Sequence, residues 1–326
     1  MIDPALAQLR AIGDDFVLPF QLEASGLRGR FVRLDSAAER ILGRHDYPDR
    51  AAVLLGEAIA LTATLSATVK FSGKFTLQAQ SQGQGAAVRT LVADVDTGGH
   101  LRGYVNYDAD AIADLPRDAS LARTFGGGYL AFTVERDDSE GRYQGIVALE
   151  GETLADSVHH YFRQSEQIPT ALRLACGRDL DGRWRAAAIL LQRVPASGGE
   201  PMAGSAADAP RPDPETWHED DGYMRAIALL ATLAQDELLA ATDPPERLLY
   251  QLFHEDGVRI WEPTRLLGDC ACAPNKFHDL LARLPRSEVE DCKVDGLVSV
   301  TCEFCGKTEH FDDTALAAIF EADGPD

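Results

Sequence analysis

The sequence predicts an α+β protein in three parts. These are an N-terminal domain of mixed sheet and helix over residues 1–194, a flexible and helical linker over 195–261, and a small cysteine-bearing domain over 262–326. Three observations carry the prediction. Strand and helix periodicities mix along the first part without a regular βαβ alternation. A stretch built largely from Pro, Gly, Ala, Ser and Asp, 195–214, then interrupts the pattern. Beyond it, a chain otherwise poor in cysteine carries two tight cysteine pairs, Cys270-Ala271-Cys272 and Cys302-Glu303-Phe304-Cys305.

The elements follow in order. Residues 1–34 alternate like strands, with Phe16-Val17-Leu18 and Arg30 to Leu34 on either side of Gly26 and Gly29. Asp35 or Ser36 can cap a helix through Leu42. His45-Asp46-Tyr47-Pro48 opens a long apolar helix that runs to about residue 69. Alternation returns over 70–80, 87–95 and 101–107, with glycine turns between, as in an antiparallel meander. A hairpin over 129–149 turns at 137–141, 153–164 has a helical period, and a second hairpin joins 171–176 to 184–192. Past the linker stretch, 224–239 and 244–254 are helices, and 258–261 is a short strand.

Composition narrows the function. With 326 residues, 45% of them hydrophobic and 25% charged, the chain has the size of about two ordinary globular domains. Its net charge of −21 repels phosphate backbones and anionic lipids, so neither nucleic acid nor a membrane is the expected partner. Residues 1–15 lack a basic and an apolar signal region. The apolar stretch 51–69 is interrupted by Glu57 and several hydroxyl residues, which suits a buried core helix rather than a membrane span. Clustered thiols without an export signal point to the reducing cytoplasm.

The cysteines carry the chemistry. Two closely spaced pairs supply four thiolates, the donor set of a structural Zn²⁺ site, so Cys270, Cys272, Cys302 and Cys305 are the expected ligands of one zinc per chain. A strand-like run into Cys302 and a glycine directly after Cys305 fit a zinc knuckle. A dithiol oxidoreductase would instead place its C-x-x-C at a helix N-terminus, where the dipole lowers a thiol pKa. The close spacing also lets each pair form a local disulfide once the metal leaves. His278 and His310 are nearby but superfluous to four sulfurs. Cys292 is a bystander between the pairs, and Cys176, in a strand, is a buried structural thiol. Glu152, Asp156, His159 and His160 form a solvated helix face. Gly306-Lys307-Thr308 lacks the upstream glycine of a phosphate loop, and no Gly-x-Ser-x-Gly elbow occurs, so neither ATP hydrolysis nor serine catalysis is expected.

On these residues the chain resembles the redox-regulated heat-shock chaperones known as 33 kDa chaperonins. The C-x-C and C-x-x-C pairs match that family's zinc motif in order and spacing. The resemblance to the family also reaches upstream, to His45-Asp46-Tyr47-Pro48, the run from Thr64 to Phe71, Ser165-Glu166-Gln167-Ile168-Pro169-Thr170, and the run from Leu249 to Glu255. The 195–214 stretch is longer than the family pattern, and Cys176 and Cys292 have no counterpart in it. The resemblance implies no enzyme but an ATP-independent holdase that binds unfolding or oxidatively damaged proteins. It also implies disulfides within Cys302/Cys305 and Cys270/Cys272 on oxidation, with loss of zinc, and a homodimer is the expected oxidised assembly. The residue-level rival is a zinc-ribbon adaptor that binds protein. With 6 Lys+Arg against 14 Asp+Glu over 262–326, that adaptor would not bind DNA. A dithiol–disulfide oxidoreductase is a third reading.

Overall fold

In a computed structural model, residues 4–116, 118–136, 142–193, 220–240, 243–270 and 276–322 are described. They belong to two compact units, Met1–Asp269 and Cys270–Asp326. The turn expected at 137–141 and the stretch 195–214 lie outside the described residues.

The larger unit is α+β, with two antiparallel sheets. Its first helix, α1 (Pro4–Ile12), corrects the strand expectation for the start of the chain. Only Ala5 and Leu9, one turn apart, are buried there. The β1 (Phe16–Leu22) and β2 (Leu27–Leu34) hairpin follows as expected, pairing Phe20 with Gly29. A Cβ on Gly29 would come within 2.1 Å of the Phe20 ring, so glycine there makes room for the aromatic ring.

Helix α2 (Ser36–Leu42) is capped from a distance. Neither Asp35 nor Ser36 supplies the cap: the Asp15 carboxylate accepts the Asp35 N–H (2.9 Å), the Ala37 N–H (2.8 Å) and the Ser36 hydroxyl (2.5 Å). Helix α3 (Asp49–Ser66) is the buried core helix that 51–69 predicted, and no helix among the described residues is long and apolar enough to cross a membrane. Its small residues admit close neighbours. A Cβ on Gly56 would meet Cys176 Sγ at 2.1 Å.

Strands β3 (Gly73–Ser81), β4 (Val88–Asp96) and β5 (Leu101–Tyr107) form the expected meander. Two short helices, α4 (Ala109–Ala113) and α5 (Leu121–Phe125), lead to β6 (Gly128–Arg136) and β7 (Arg142–Ala148), giving the sheet order β5-β4-β3-β6-β7. The helix expected over 153–164 is shorter. α6 (Leu154–Tyr161) begins with a Thr153/Asp156 capping box and passes into one π-turn, Phe162–Glu166, that ends at Gln167 with φ +53.

β8 (Thr170–Arg178) and β9 (Trp184–Gln192) complete the other sheet, ordered β10-β1-β2-β9-β8, once β10 (Val258–Ile260) is added to β1. β11 (Thr264–Arg265) also pairs with β1. This sheet is apolar on both faces. Val17, Val32, Ala188 and Leu190 join the core around α3, while Phe16, Leu18, Phe31, Ile189 and Leu191 face the other way. That second face is covered by α7 (Asp221–Thr232), α8 (Gln235–Leu239) and α9 (Pro245–Phe253), through Tyr223, Ala226, Leu230, Leu238, Leu249 and Phe253. Burial on both sides explains why β9 reads Ala-Ala-Ala-Ile-Leu-Leu rather than alternating.

The helix expected over 224–239 is in fact two. Leu233 turns extended and is buried, and Glu237 caps α8 by accepting the Ala234 N–H at 2.8 Å. Residues 258–265 pair into this sheet, and the compact unit they belong to runs to Asp269.

The smaller unit comprises α10 (Lys276–Ala282), α11 (Arg286–Asp291), β12 (Val298–Thr301), β13 (Thr308–Phe311) and α12 (Asp313–Ala322). Its core consists of Phe277, Leu281, Val289, Val298, Phe311, Leu316, Ile319 and the side chain of Cys302. A core this small supplies little stability without a cross-link.

Candidate metal centre

β12 and β13 pair from Val298 opposite Phe311 to Thr301 opposite Thr308, and the turn between them carries Cys302 and Cys305. The Cys302 N–H donates to the Lys307 carbonyl (2.9 Å) and the Gly306 N–H to the Cys302 carbonyl (2.8 Å). Gly306 sits at φ +69, a conformation that favours glycine and that folds the turn back around the sulfurs. This is the knuckle expected from the sequence, between two strands rather than at a helix N-terminus.

Cys270 supplies the third sulfur. Its Sγ lies 3.8 Å from that of Cys302, and the sulfurs of Cys270, Cys302 and Cys305 all lie within 4.8 Å of one another. Sulfurs at the corners of a tetrahedron with Zn–S of about 2.3 Å stand about 3.8 Å apart, so the spacing suits a tetrahedral thiophilic ion. Cys302 is buried, the other two partly so, and this is the only such group of three ligand-type side chains found among the described residues. Cys272 lies outside the described residues.

The neighbouring candidates are placed elsewhere. His278 packs edge-on against the Phe311 ring at 5.4 Å, and His310 Nδ1 lies 2.8 Å from the Ser299 hydroxyl. Cys292 is exposed at the end of α11. Cys176 is buried in the larger unit against Gly56, and its burial pushes the thiol pKa well up, with the Glu57 carboxyl adding to the rise. It is the structural thiol expected of its strand.

The solvated face expected of Glu152, Asp156, His159 and His160 needs correction at one residue. His159 Nε2 accepts the Leu172 N–H at 3.0 Å, so the ring is neutral at that nitrogen, and burial lowers its pKa. Asp156 belongs to the capping box. Helical spacing alone does not show that β8 runs past this face.

Two further polar groupings in the larger unit have no motif in the sequence. Tyr143 and Tyr161 hydroxyls, 2.8 Å apart, both reach Glu166 Oε1, at 2.8 and 2.7 Å. Arg33 and Arg185, both almost fully buried, stand among Asp14 and Asp35 and donate to the carbonyls of Asp243 and Leu239. Strand alternation could have placed these arginines on an inward face, but nothing local marks their partners.

Comparison with known proteins adds the following. The family model described as Hsp33 protein matches residues 15–312. The 33 kDa chaperonin of Caulobacter vibrioides is 38% identical over 306 residues, covering 92% of this chain and 95% of the relative. The 33 kDa chaperonin of Nitrosococcus oceani is 35% identical, with 92% of each chain covered. Among solved structures, the crystal structure of the 33 kDa chaperonin (heat shock protein 33 homologue) of Thermotoga maritima superposes with a TM-score of 0.75. It is 21% identical, with 95% of this chain and 98% of that chain covered.

Proposed function

The chain belongs to the Hsp33 family, and from that premise we propose that it is a redox-regulated, ATP-independent chaperone rather than an enzyme. In this reading it binds unfolding or oxidatively damaged proteins and keeps them from aggregating. The observation that carries it is the convergence of three cysteine sulfurs in a unit with almost no other core.

Cys270, Cys302 and Cys305, with Cys272 as fourth ligand, would hold one Zn²⁺. The metal would supply a cross-link worth roughly 10–16 kcal/mol, comparable to the stability of a whole domain. Hydrogen peroxide takes two electrons from each pair of thiolates, is itself reduced to water, and leaves disulfides within Cys302/Cys305 and Cys270/Cys272. Sulfurs tied in disulfides no longer hold the metal, and the small unit loses what keeps it folded.

The chain then has an apolar surface to offer. The sheet face bearing Phe16, Leu18, Phe31 and Ile189 is covered by Leu9 of α1 and, over most of its area, by α7–α9, the segment that leads through β10 and β11 to Cys270. Loosening of that segment would bare a contiguous apolar face, the kind of surface that holds unfolded chains. The same reading puts the protein in the reducing cytoplasm and its oxidised form in a homodimer. At a net charge of −21, neither nucleic acid nor membrane is a partner.

The test combines zinc content, thiol count and light scattering of a heat-denatured client, before and after peroxide. Zinc should fall from one per chain as thiols disappear, and suppression of aggregation should appear only after oxidation, without ATP. Equal suppression by both forms would defeat the proposal, as would full zinc retention in Cys302→Ser.

A further inference from the structure

The larger unit holds a cavity of about 400 Å³ that the chaperone reading does not use. Much of its wall is apolar, with side chains from five elements: Leu54 on α3, Val88 on β4, Ile112 on α4, Leu121 on α5 and Leu154 on α6. The volume lies within the range of small-molecule sites, about 300–1,000 Å³, which are mostly apolar with a few placed polar groups.

The polar group here is Glu57. It lines the cavity, yet among the described residues it accepts no hydrogen bond and forms no ion pair. Among the described residues the lining has one cation, Arg50, and it is committed away from Glu57. The Arg50 guanidinium donates to the carbonyls of Pro116 and Ala119, each at 2.6 Å, and to the Thr124 hydroxyl at 3.5 Å. Asp49 and Glu152 add two more carboxylates to the lining, and Asp49 faces Arg178 at 3.7 Å, outside it. The cavity therefore combines an apolar wall with an uncompensated carboxyl.

We propose that this cavity binds the ammonium group of an aliphatic amine, with the nitrogen on Glu57 and the stem along Leu54, Ile112 and Leu121. Charge and shape both select such a ligand. A carboxylate ligand would meet three acidic side chains, and a neutral alkane would leave Glu57 unpaired in apolar surroundings. Burial pushes the Glu57 carboxyl up to about 7, as expected of an acid without a counter-charge, and a bound ammonium would hold it ionised. An ammonium on an aliphatic stem has two sources, a free alkylamine or a lysine side chain of another polypeptide.

The experiment uses the full-length, zinc-loaded, reduced chain titrated calorimetrically with n-hexylamine, n-hexanol, hexanoate and a lysine blocked at both backbone ends. Hexylamine should bind at least tenfold more tightly than hexanol, and hexanoate more weakly still. In Glu57→Gln that preference should vanish while hexanol binds as before. Amide NMR shifts on hexylamine binding should centre on Leu54, Ile112 and Leu121. Blocked lysine binding like hexylamine assigns protein side chains as the source, and hexylamine alone assigns free amines. Equal affinity for hexylamine and hexanol, no binding of hexylamine at millimolar concentration, or shifts centred elsewhere would each overturn the proposal. The ligand series on the unsubstituted chain decides the matter even if Glu57→Gln fails to fold. It is also independent of the redox reading, since no oxidant is present.

Discussion

Glu57→Gln should make the larger unit more stable at alkaline pH and much less so in mild acid. In the unfolded chain this carboxyl titrates near 4.5, whereas burial among apolar side chains raises it to about 7 in the folded chain. Below about pH 4.5 both states carry the proton and Glu57 contributes no pH dependence. Between the two values the folded chain keeps a proton that the unfolded chain has released, so stability falls as pH rises. Above about pH 7 the whole cost is present. A shift of this size corresponds to ~3 kcal/mol, less to the extent that water reaches the partly exposed cavity. Glutamine keeps the shape and never charges, so the variant lacks this loss. Urea unfolding of the zinc-loaded protein, followed by circular dichroism at about pH 5 and pH 8, measures it. With a urea slope of roughly 3 kcal/mol/M, the variant's midpoint should exceed the wild type's by about 0.5–1 M at pH 8 and by only about a quarter of that at pH 5. An equal difference at both pH values, or a less stable variant at pH 8, would refute the assignment of a raised carboxyl.

Four other outcomes can be checked on the same protein. Gly56→Ala should gain about 1 kcal/mol of helix propensity yet lose more to its clash with Cys176, for a net loss of about 1–2 kcal/mol; Cys176→Ala in the same chain should recover part of it in denaturant titrations, and strict additivity would contradict the contact. Asp15→Ala should cost about 1–3 kcal/mol by orphaning the Ala37 N–H and leaving the Asp35 N–H with only the Asp14 carbonyl at 3.1 Å, and Asp15→Asn, which keeps an oxygen acceptor, less than half as much in the same assay. In native protein treated with iodoacetamide, mass spectrometry should find Cys292 labelled and Cys176 untouched until the chain is unfolded, because burial both hides the Cys176 thiol and raises its pKa. After peroxide, amide exchange should lose its protection over 297–305 and keep it over 54–65; equal loss in both would mean that the whole chain unfolds rather than the small unit.

How much of this was legible without the fold follows from the range of each interaction. Alternation, helical period and glycine turns are local, and they located nearly every strand, the core helix α3 and the α+β class. The cysteine pairs of the candidate site were legible for the same reason, since C-x-C and C-x-x-C are spacings of two and three residues. Where few residues touch the core, the local signal failed. α1 is short and buries only Ala5 and Leu9, a signal too brief to stand out from the strand alternation that follows it. The break at Leu233 depends on burial of that side chain beneath the first sheet. That Cys270 meets Cys302 was expected from the two pairs; tertiary structure brings these sulfurs, 32 positions apart in the sequence, to 3.8 Å. Tertiary structure alone put the Asp15 carboxylate over the start of α2 and left the Glu57 carboxyl without a partner among the described residues, in a largely apolar cavity. A sequence states which groups a segment can offer. Whether a buried thiol or carboxyl finds a partner depends on chain segments far away in sequence, because in a packed core each position is filled by whichever distant side chain excludes water from it.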